Sequence, residues 1–278
     1  MRMIKSKREF NMRTLSVCLL LALFSFTACQ TGTTNNEEEA TTDEQQDMSK
    51  TQPTEYTIAP FPESTAYPEA RMEDMSFQDG QFEFTYSNYE LKMQTPDAES
   101  KMCANSEQGQ HIHLIVDTLP YAAKYEGSFA YEIEDGEHYI LAFLSRSYHE
   151  SIKNGEADIL RKVTIADNSI TNSAEVTDPM LFYSRPKGTY VGKANTERIM
   201  LDFWLHNVEL GEDYQVKAQV NDQVFMIDEW QPYFLTGLPM GDNTITLTLV
   251  DGEGNPVDTP LNPVTRTFTL QADPAEQM

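Results

Sequence analysis

The sequence predicts an all-β protein: two tandem β-sandwich domains after a disordered acidic tether. Three observations carry that expectation. Beyond residue 75 apolar side chains recur with a period of two, as in Gln81-Phe82-Glu83-Phe84-Thr85-Tyr86 and Thr244-Ile245-Thr246-Leu247-Thr248-Leu249. That is the pattern of strands buried on one face. Past residue 28 no long apolar stripe of helical period interrupts them. The second half also repeats the apolar phase of the first. Ile112 to Asp117 aligns with Val216 to Asn221, Phe129 with Phe234, Gly136 with Gly241, and Ile140, Ala142 and Leu144 with Ile245, Leu247 and Leu249. An offset of about 104 residues, lengthening by one along the way, is the size of one sandwich.

In chain order, the first element is a targeting segment. Lys5, Lys7, Arg8 and Arg13 precede an apolar run from Leu15 to Phe26. About a dozen residues make the h-region of a signal peptide and are too few to span a bilayer as a helix. Phe26-Thr27-Ala28-Cys29 resembles a bacterial lipobox, with Phe26 where Leu is usual. The resemblance implies cleavage after residue 28 and lipidation of Cys29; an ordinary signal peptide cut nearby is the alternative. Residues 29–70 are rich in Thr, Asn, Gln, Glu and Pro and are expected to be a disordered tether. Glu37-Glu38-Glu39 and Asp43-Glu44 resemble the acidic export signal of surface lipoproteins in Bacteroidota-type bacteria, and otherwise read as a solvated spacer. The address implied is an outer-membrane lipoprotein exposed at the cell surface.

Two sandwiches are expected next, 71–172 and 173–278, divided near 170–178, the second able to fold by itself. Asp79-Gly80, Asp135-Gly136, Gly241-Asp242 and Asp251-Gly252-Glu253-Gly254-Asn255 supply turns between strands. Phe182 to Tyr190 and Leu249 to Val257 resemble the first strand and a late hairpin of bacterial extracellular immunoglobulin-like modules. The resemblance implies immunoglobulin-like sandwiches. Cys18 leaves with the signal and Cys29 takes lipid, so Cys103 is the one remaining thiol and no intrachain disulfide is expected. Each sandwich must therefore be held by its core, with Trp204 and Trp230 in that packing or in an interface.

Charge narrows the function. The net charge is -24, and removing residues 1–28, with five basic and one acidic side chain, takes it to -28. Such a chain repels nucleic acid, so no nucleic-acid partner is expected. Gly-x-Ser-x-Gly and His-Glu-x-x-His are absent. Gly188 to Lys193 lacks phosphate-loop spacing, and the 251–255 turn lacks the alternating carboxylates of a calcium loop. The expectation is no enzyme but a non-catalytic cell-envelope module for binding or scaffolding.

Four of the five histidines fall between 111 and 149. Gly109-Gln110-His111-Ile112-His113-Leu114-Ile115-Val116-Asp117, Gly136-Glu137-His138 and Tyr148-His149 resemble an uncharacterised bacterial domain family. That family carries Gly-His-His-His-Leu-Leu-Ile-Asp, then Gly-Glu-His-Thr-Leu, then a His-rich loop. The resemblance covers roughly residues 108–165. His111, His113, Asp117 and His138 match family positions, His149 falls in the late loop, and Gln110 stands where the family often has another His. Whole chains of this kind are often labelled phosphopeptide-binding lipoproteins. This sequence shows no Arg/Lys cluster, and its charge opposes an anionic ligand.

On physical grounds His111 and His113, two apart on a strand, share one face, while Ile112, Leu114 and Val116 share the other. Two imidazoles exposed on the polar face would make half of a copper or zinc site. His138, His149, Cys103, Met102 or a carboxylate would complete it. Otherwise no cofactor is expected, and the histidines hydrogen-bond on a sheet face. By the same phase Tyr139, Leu141 and Phe143 occupy an outer face, where they must be covered by the other domain or by a protein partner.

Overall fold

The computed structural model describes residues 55–277. The signal segment, Cys29 and the acidic runs lie outside the described residues. Among the described residues seventeen strands run from β1 (Thr57–Pro60) to β17 (Val264–Gln271). The first sandwich uses β2 (Arg71–Gln78), β3 (Gln81–Ser87), β4 (His111–Val116), β5 (Ala122–Lys124), β6 (Ser128–Ala130), β7 (Gly136–Ser145), β8 (Asp158–Ala166) and β9 (Ser169–Ala174). Its sheets have strand orders β2-β3-β6 and β5-β4-β7-β8-β9. The second uses β10 (Met180–Arg185), β11 (Gly188–Val191), β12 (Ile199–His206), β13 (Tyr214–Val220), β14 (Gln223–Ile227), β15 (Tyr233–Thr236), β16 (Gly241–Asp251) and β17. Its orders are β1-β15-β12-β10 and β11-β17-β16-β13-β14. Helical segments among the described residues are single turns.

The period-two pattern sorts side chains as expected. Phe82, Phe84, Ile112, Leu114, Val116, Ile140, Ala142 and Leu144 meet in the first core. Leu181, Phe203, Val216, Ala218, Val220, Ile245, Leu247 and Leu249 meet in the second. Each valine, leucine, isoleucine or phenylalanine among them contributes about 1.5–3 kcal/mol when fully removed from water. Among the described residues no disulfide supplements them; Cys103 is a free thiol.

The apolar outer face is covered. Ile115, Leu141, Phe143 and Leu160 of the first sandwich pack against Met180, Phe182 and Trp204 of the second. Phe143 stacks on Trp204 with centroids 5.1 Å apart, and Trp230 meets Trp204 edge-on at the same distance. The apolar face of Leu141 and Phe143 is therefore covered by the chain's own second sandwich, and Tyr139 packs at its margin. Of the two covers expected from sequence, the other domain and a protein partner, the other domain is the one found at this face. The alternation Ile199-Met200-Leu201-Asp202-Phe203 would mark Asp202 as wet-facing, and the structure does not place it so. It is fully buried, 2.6 Å from Lys153 Nζ, and accepts from Ser151 N and Oγ at 3.2 Å.

The tether needs correcting too. Residues 57–60 are strand β1, paired antiparallel with β15 of the second sandwich, Ile58 opposite Leu235. Phe61 follows into a buried group with Tyr148, Met200 and Phe234. Polar composition averaged over 42 residues, 29 to 70, hides this strand. An edge strand needs only backbone pairing and one or two apolar contacts, here Tyr56 and Ile58 against the second core. A consequence follows for the fragment 175–271. It lacks β1 and bares Phe182, Trp204 and Leu235, all buried in the whole chain. Thermal melting with a dye for exposed apolar surface is expected to show it melting lower than the whole chain and binding the dye when folded. Equal melting without dye binding would contradict the packing described.

Candidate metal centre

His111 and His113 project from β4 toward the second sandwich, on the face opposite Ile112, Leu114 and Val116. The phase expected from sequence is right. The exposure is not, because both imidazoles are fully buried. His149 joins them from the turn between β7 and β8, where Arg146 O accepts its backbone N–H at 2.8 Å. Its φ of 70° is left-handed, a conformation histidine adopts more readily than bulky residues. It keeps partial exposure and gives the cluster its contact with solvent.

The three rings converge. His111 Nε2 lies 2.9 Å from His113 Nε2 and 3.0 Å from His149 Nδ1. One nitrogen from each ring falls within 4.8 Å of the others. The outward nitrogens are positioned by the protein. His111 Nδ1 is 2.8 Å from Gly109 O, and His113 Nδ1 is 3.4 Å from Ser184 Oγ on β10. Gly109 holds that carbonyl in place: its φ is +85°, and a Cβ there would sit 2.5 Å from Met93 O. Tyr121 stacks on His113 at 3.6 Å and 10°. Its hydroxyl is 3.3 Å from His149 Nδ1.

Hydrogen bonding among the three rings is crowded, and the Tyr121 hydroxyl at 3.3 Å is, among the described residues, the one outside partner of His149 Nδ1. A carbonyl only accepts, so His111 Nδ1 carries the proton and Nε2 is a bare lone pair. Two further ring nitrogens point at that one lone pair. If both carry protons they compete for a single acceptor; if either is bare, lone pairs face each other. A cation among the three nitrogens removes the conflict. Metal–nitrogen bonds of about 2.0–2.1 Å set ligand nitrogens roughly 3.3–3.6 Å apart; the two distances to His111 Nε2 are a few tenths of an ångström shorter, and the group as a whole spans 4.8 Å, so His113 and His149 would close in on an ion.

Burial also prepares the donors. It pushes His111 down to about 4, against a small opposing effect of the Gly109 carbonyl. Burial lowers His113 and His149 as well, helped by neighbouring histidines and by Arg185 and Lys187. All three rings are neutral at pH 7, the state that ligates. The sign for stability follows. An unfolded His111 has its ordinary value of 6.5, so between pH 6.5 and about 4 the unfolded chain binds more protons. Stability present above pH 6.5 is lost as pH falls through that window, about 2 kcal/mol from His111 alone by pH 5. Urea melts of metal-free protein should show a lower midpoint at pH 5 than at pH 7. An unchanged midpoint would contradict the burial of the cluster.

Other candidate ligands are elsewhere. His138 Nδ1 is bound to Asp117 Oδ2 at 2.7 Å and its Nε2 to Glu134 O at 2.9 Å. It lines an open cavity of about 1230 Å³ with Asp117, Tyr131 and Glu132. Met102 is exposed. Cys103 packs beside Phe61 and Tyr148, and burial pushes its thiol up to about 11, so it remains protonated. His138, Met102 and Cys103 are thus not in the cluster, which corrects the wider set expected from sequence.

Sequence reasoning missed Arg185, Lys187 and Arg266. Arg185 Nη1 donates to Tyr148 O, Lys187 Nζ to Tyr121 O, and Arg266 Nη2 to Thr118 O. Among the described residues no carboxylate forms an ion pair with any of them. They tie the second sandwich to backbone carbonyls of the first and are not splayed toward solvent as a phosphate grip would be.

No protein-family model matches the sequence, and no curated protein matches it. Similar solved structures include the fibronectin(III)-like modules of Clostridium thermocellum CbhA, at 14% identity and a TM-score of 0.26, covering 34% of this chain and 99% of that one. Another is the extracellular domain of a hybrid two component system from B. thetaiotaomicron, at 10% identity and 0.26, covering 73% of this chain and 38% of that one. A third is the SGBP-B protein of a Bacteroides ovatus mixed-linkage glucan utilization locus, solved with a mixed-linkage heptasaccharide, at 9% identity and 0.19, covering 80% and 72%.

Proposed function

We propose that this protein is a non-catalytic envelope module that binds one transition-metal ion, copper or zinc, through His111, His113 and His149. One observation carries the reading: three neutral imidazole nitrogens meet within 4.8 Å while a carbonyl and a hydroxyl engage the outward nitrogens of two rings. Such outer partners fix ring orientation and raise ligand basicity in metal sites. The role is binding and not turnover: two of the three rings, and the Ser184 and Tyr121 hydroxyls beside them, are sealed from solvent and from any substrate of size.

Titrating the purified chain with copper and with zinc tests this. One ion per chain is expected, with affinity better than micromolar for at least one of the metals. His149→Asn keeps a residue suited to the left-handed backbone and is expected to weaken binding by at least about tenfold. Equal binding by both proteins would remove His149 from the site, and no binding by either would end the reading.

The module is held at the outer membrane through acylated Cys29. The lipobox-like Phe26-Thr27-Ala28-Cys29 supports this, and several acyl chains anchor stably where one does not. Cys29→Ala is expected to yield soluble protein or an uncleaved precursor on membrane fractionation. A normally processed, membrane-retained variant would contradict the anchor.

A further inference from the structure

We propose that the trihistidine site selects monovalent copper over divalent zinc. The inference rests on the metal reading above and concerns which ion that site takes. The donor set is the first reason. Three neutral imidazoles contribute no negative charge, so the full charge of the ion stays in a buried site. The cost of desolvating an ion grows with the square of its charge, so a divalent ion costs about four times as much as a monovalent one.

The surroundings sharpen the difference. Lys187 Nζ sits 4.0 Å from the centroid of Tyr121, the ring that stacks on His113 at 3.6 Å. Arg185 is buried and donates to the carbonyl of Tyr148, the residue before His149. No carboxylate pairs with either among the described residues. Each fixed positive charge repels a second unit of charge on the ion as strongly as the first.

Zinc also wants a fourth ligand, and protein zinc sites meet that want with thiolate, carboxylate, imidazole or water. Beside the one partly exposed ring stands the Tyr121 hydroxyl, 3.3 Å from His149 Nδ1, and the cluster includes no carboxylate or thiolate. Copper(I) is satisfied by two or three imidazoles and needs no anion. The enclosing rings of Tyr121, Tyr125 and Phe143 further limit room for a bound hydroxide to neutralise zinc.

The experiment is a pair of competition titrations of the purified chain. Copper(I) is titrated without oxygen against a chromogenic copper(I) chelator, and zinc against a zinc-responsive dye. Copper(I) is expected to bind once per chain, about thirtyfold or more tighter than zinc. Lys187→Gln, a change at a half-exposed side chain, should narrow that gap several-fold by strengthening zinc more than copper. Zinc bound as tightly as copper(I) would overturn the selectivity and leave the trihistidine site standing. Neither ion bound at micromolar concentration would overturn both. Copper(I) bound as tightly by a His111→Ala, His149→Asn double variant would place copper elsewhere, and a gap untouched by Lys187→Gln would remove its electrostatic basis; either result overturns the proposal.

Discussion

Trp204→Ala is expected to destabilise the protein by about 3–5 kcal/mol, the cost of emptying a large aromatic site that cannot collapse. Trp204 is 2% exposed and lies between Phe143 of the first sandwich and Trp230 of the second. For a chain of this size each kcal/mol lowers the melting temperature by about 2–4 °C, so a drop of roughly 10 °C is expected. Location distinguishes this loss from ordinary core damage. Trp204 belongs to the layer between sandwiches, while Ile199, Leu201, Phe203 and Leu205 on the same strand serve the second core. The segment 175–179, between β9 and β10, should therefore become sensitive to protease before either sandwich unfolds. A cost below about 1 kcal/mol, or protection of that segment as in the wild type, would contradict the contact.

The second large effect is metal-linked stabilisation. An ion that binds only the folded chain adds about 4 kcal/mol at a thousandfold excess over its dissociation constant. That corresponds to a rise of roughly 8–16 °C in melting temperature. The rise should vanish in a His111→Ala, His149→Asn double variant. Removing metal from the wild type with a chelator should reverse it. A melting temperature indifferent to copper and zinc would mean that the three rings do not hold an ion in the folded state.

Some of this was legible in the residues. Alternation along 111–116 separates Ile112, Leu114 and Val116 from His111, His113 and Ile115, and the structure keeps that separation. Period alone cannot say which outer face is wet, because that depends on what another domain lays against it. His111 and His113 read as exposed for this reason, as did Asp202; all three are fully buried. His149 was nameable as a histidine but not as the third donor. Its approach depends on a turn held by Arg146 O and by the Ser145–Ser151 bridge. His138 was misjudged because its ring faces Asp117 at the far end of β7, away from the cluster. Strand β1 was hidden by its setting, a single isoleucine between polar stretches, and only its partner β15 makes it a strand.

X-ray absorption at the metal edge of the loaded protein tests the central claim most directly. The account predicts a first shell dominated by three nitrogen atoms at about 2.0 Å, with the outer-shell scattering of three imidazole rings. A first shell of carboxylate oxygens, or of sulfur from methionine or Cys103, would contradict it.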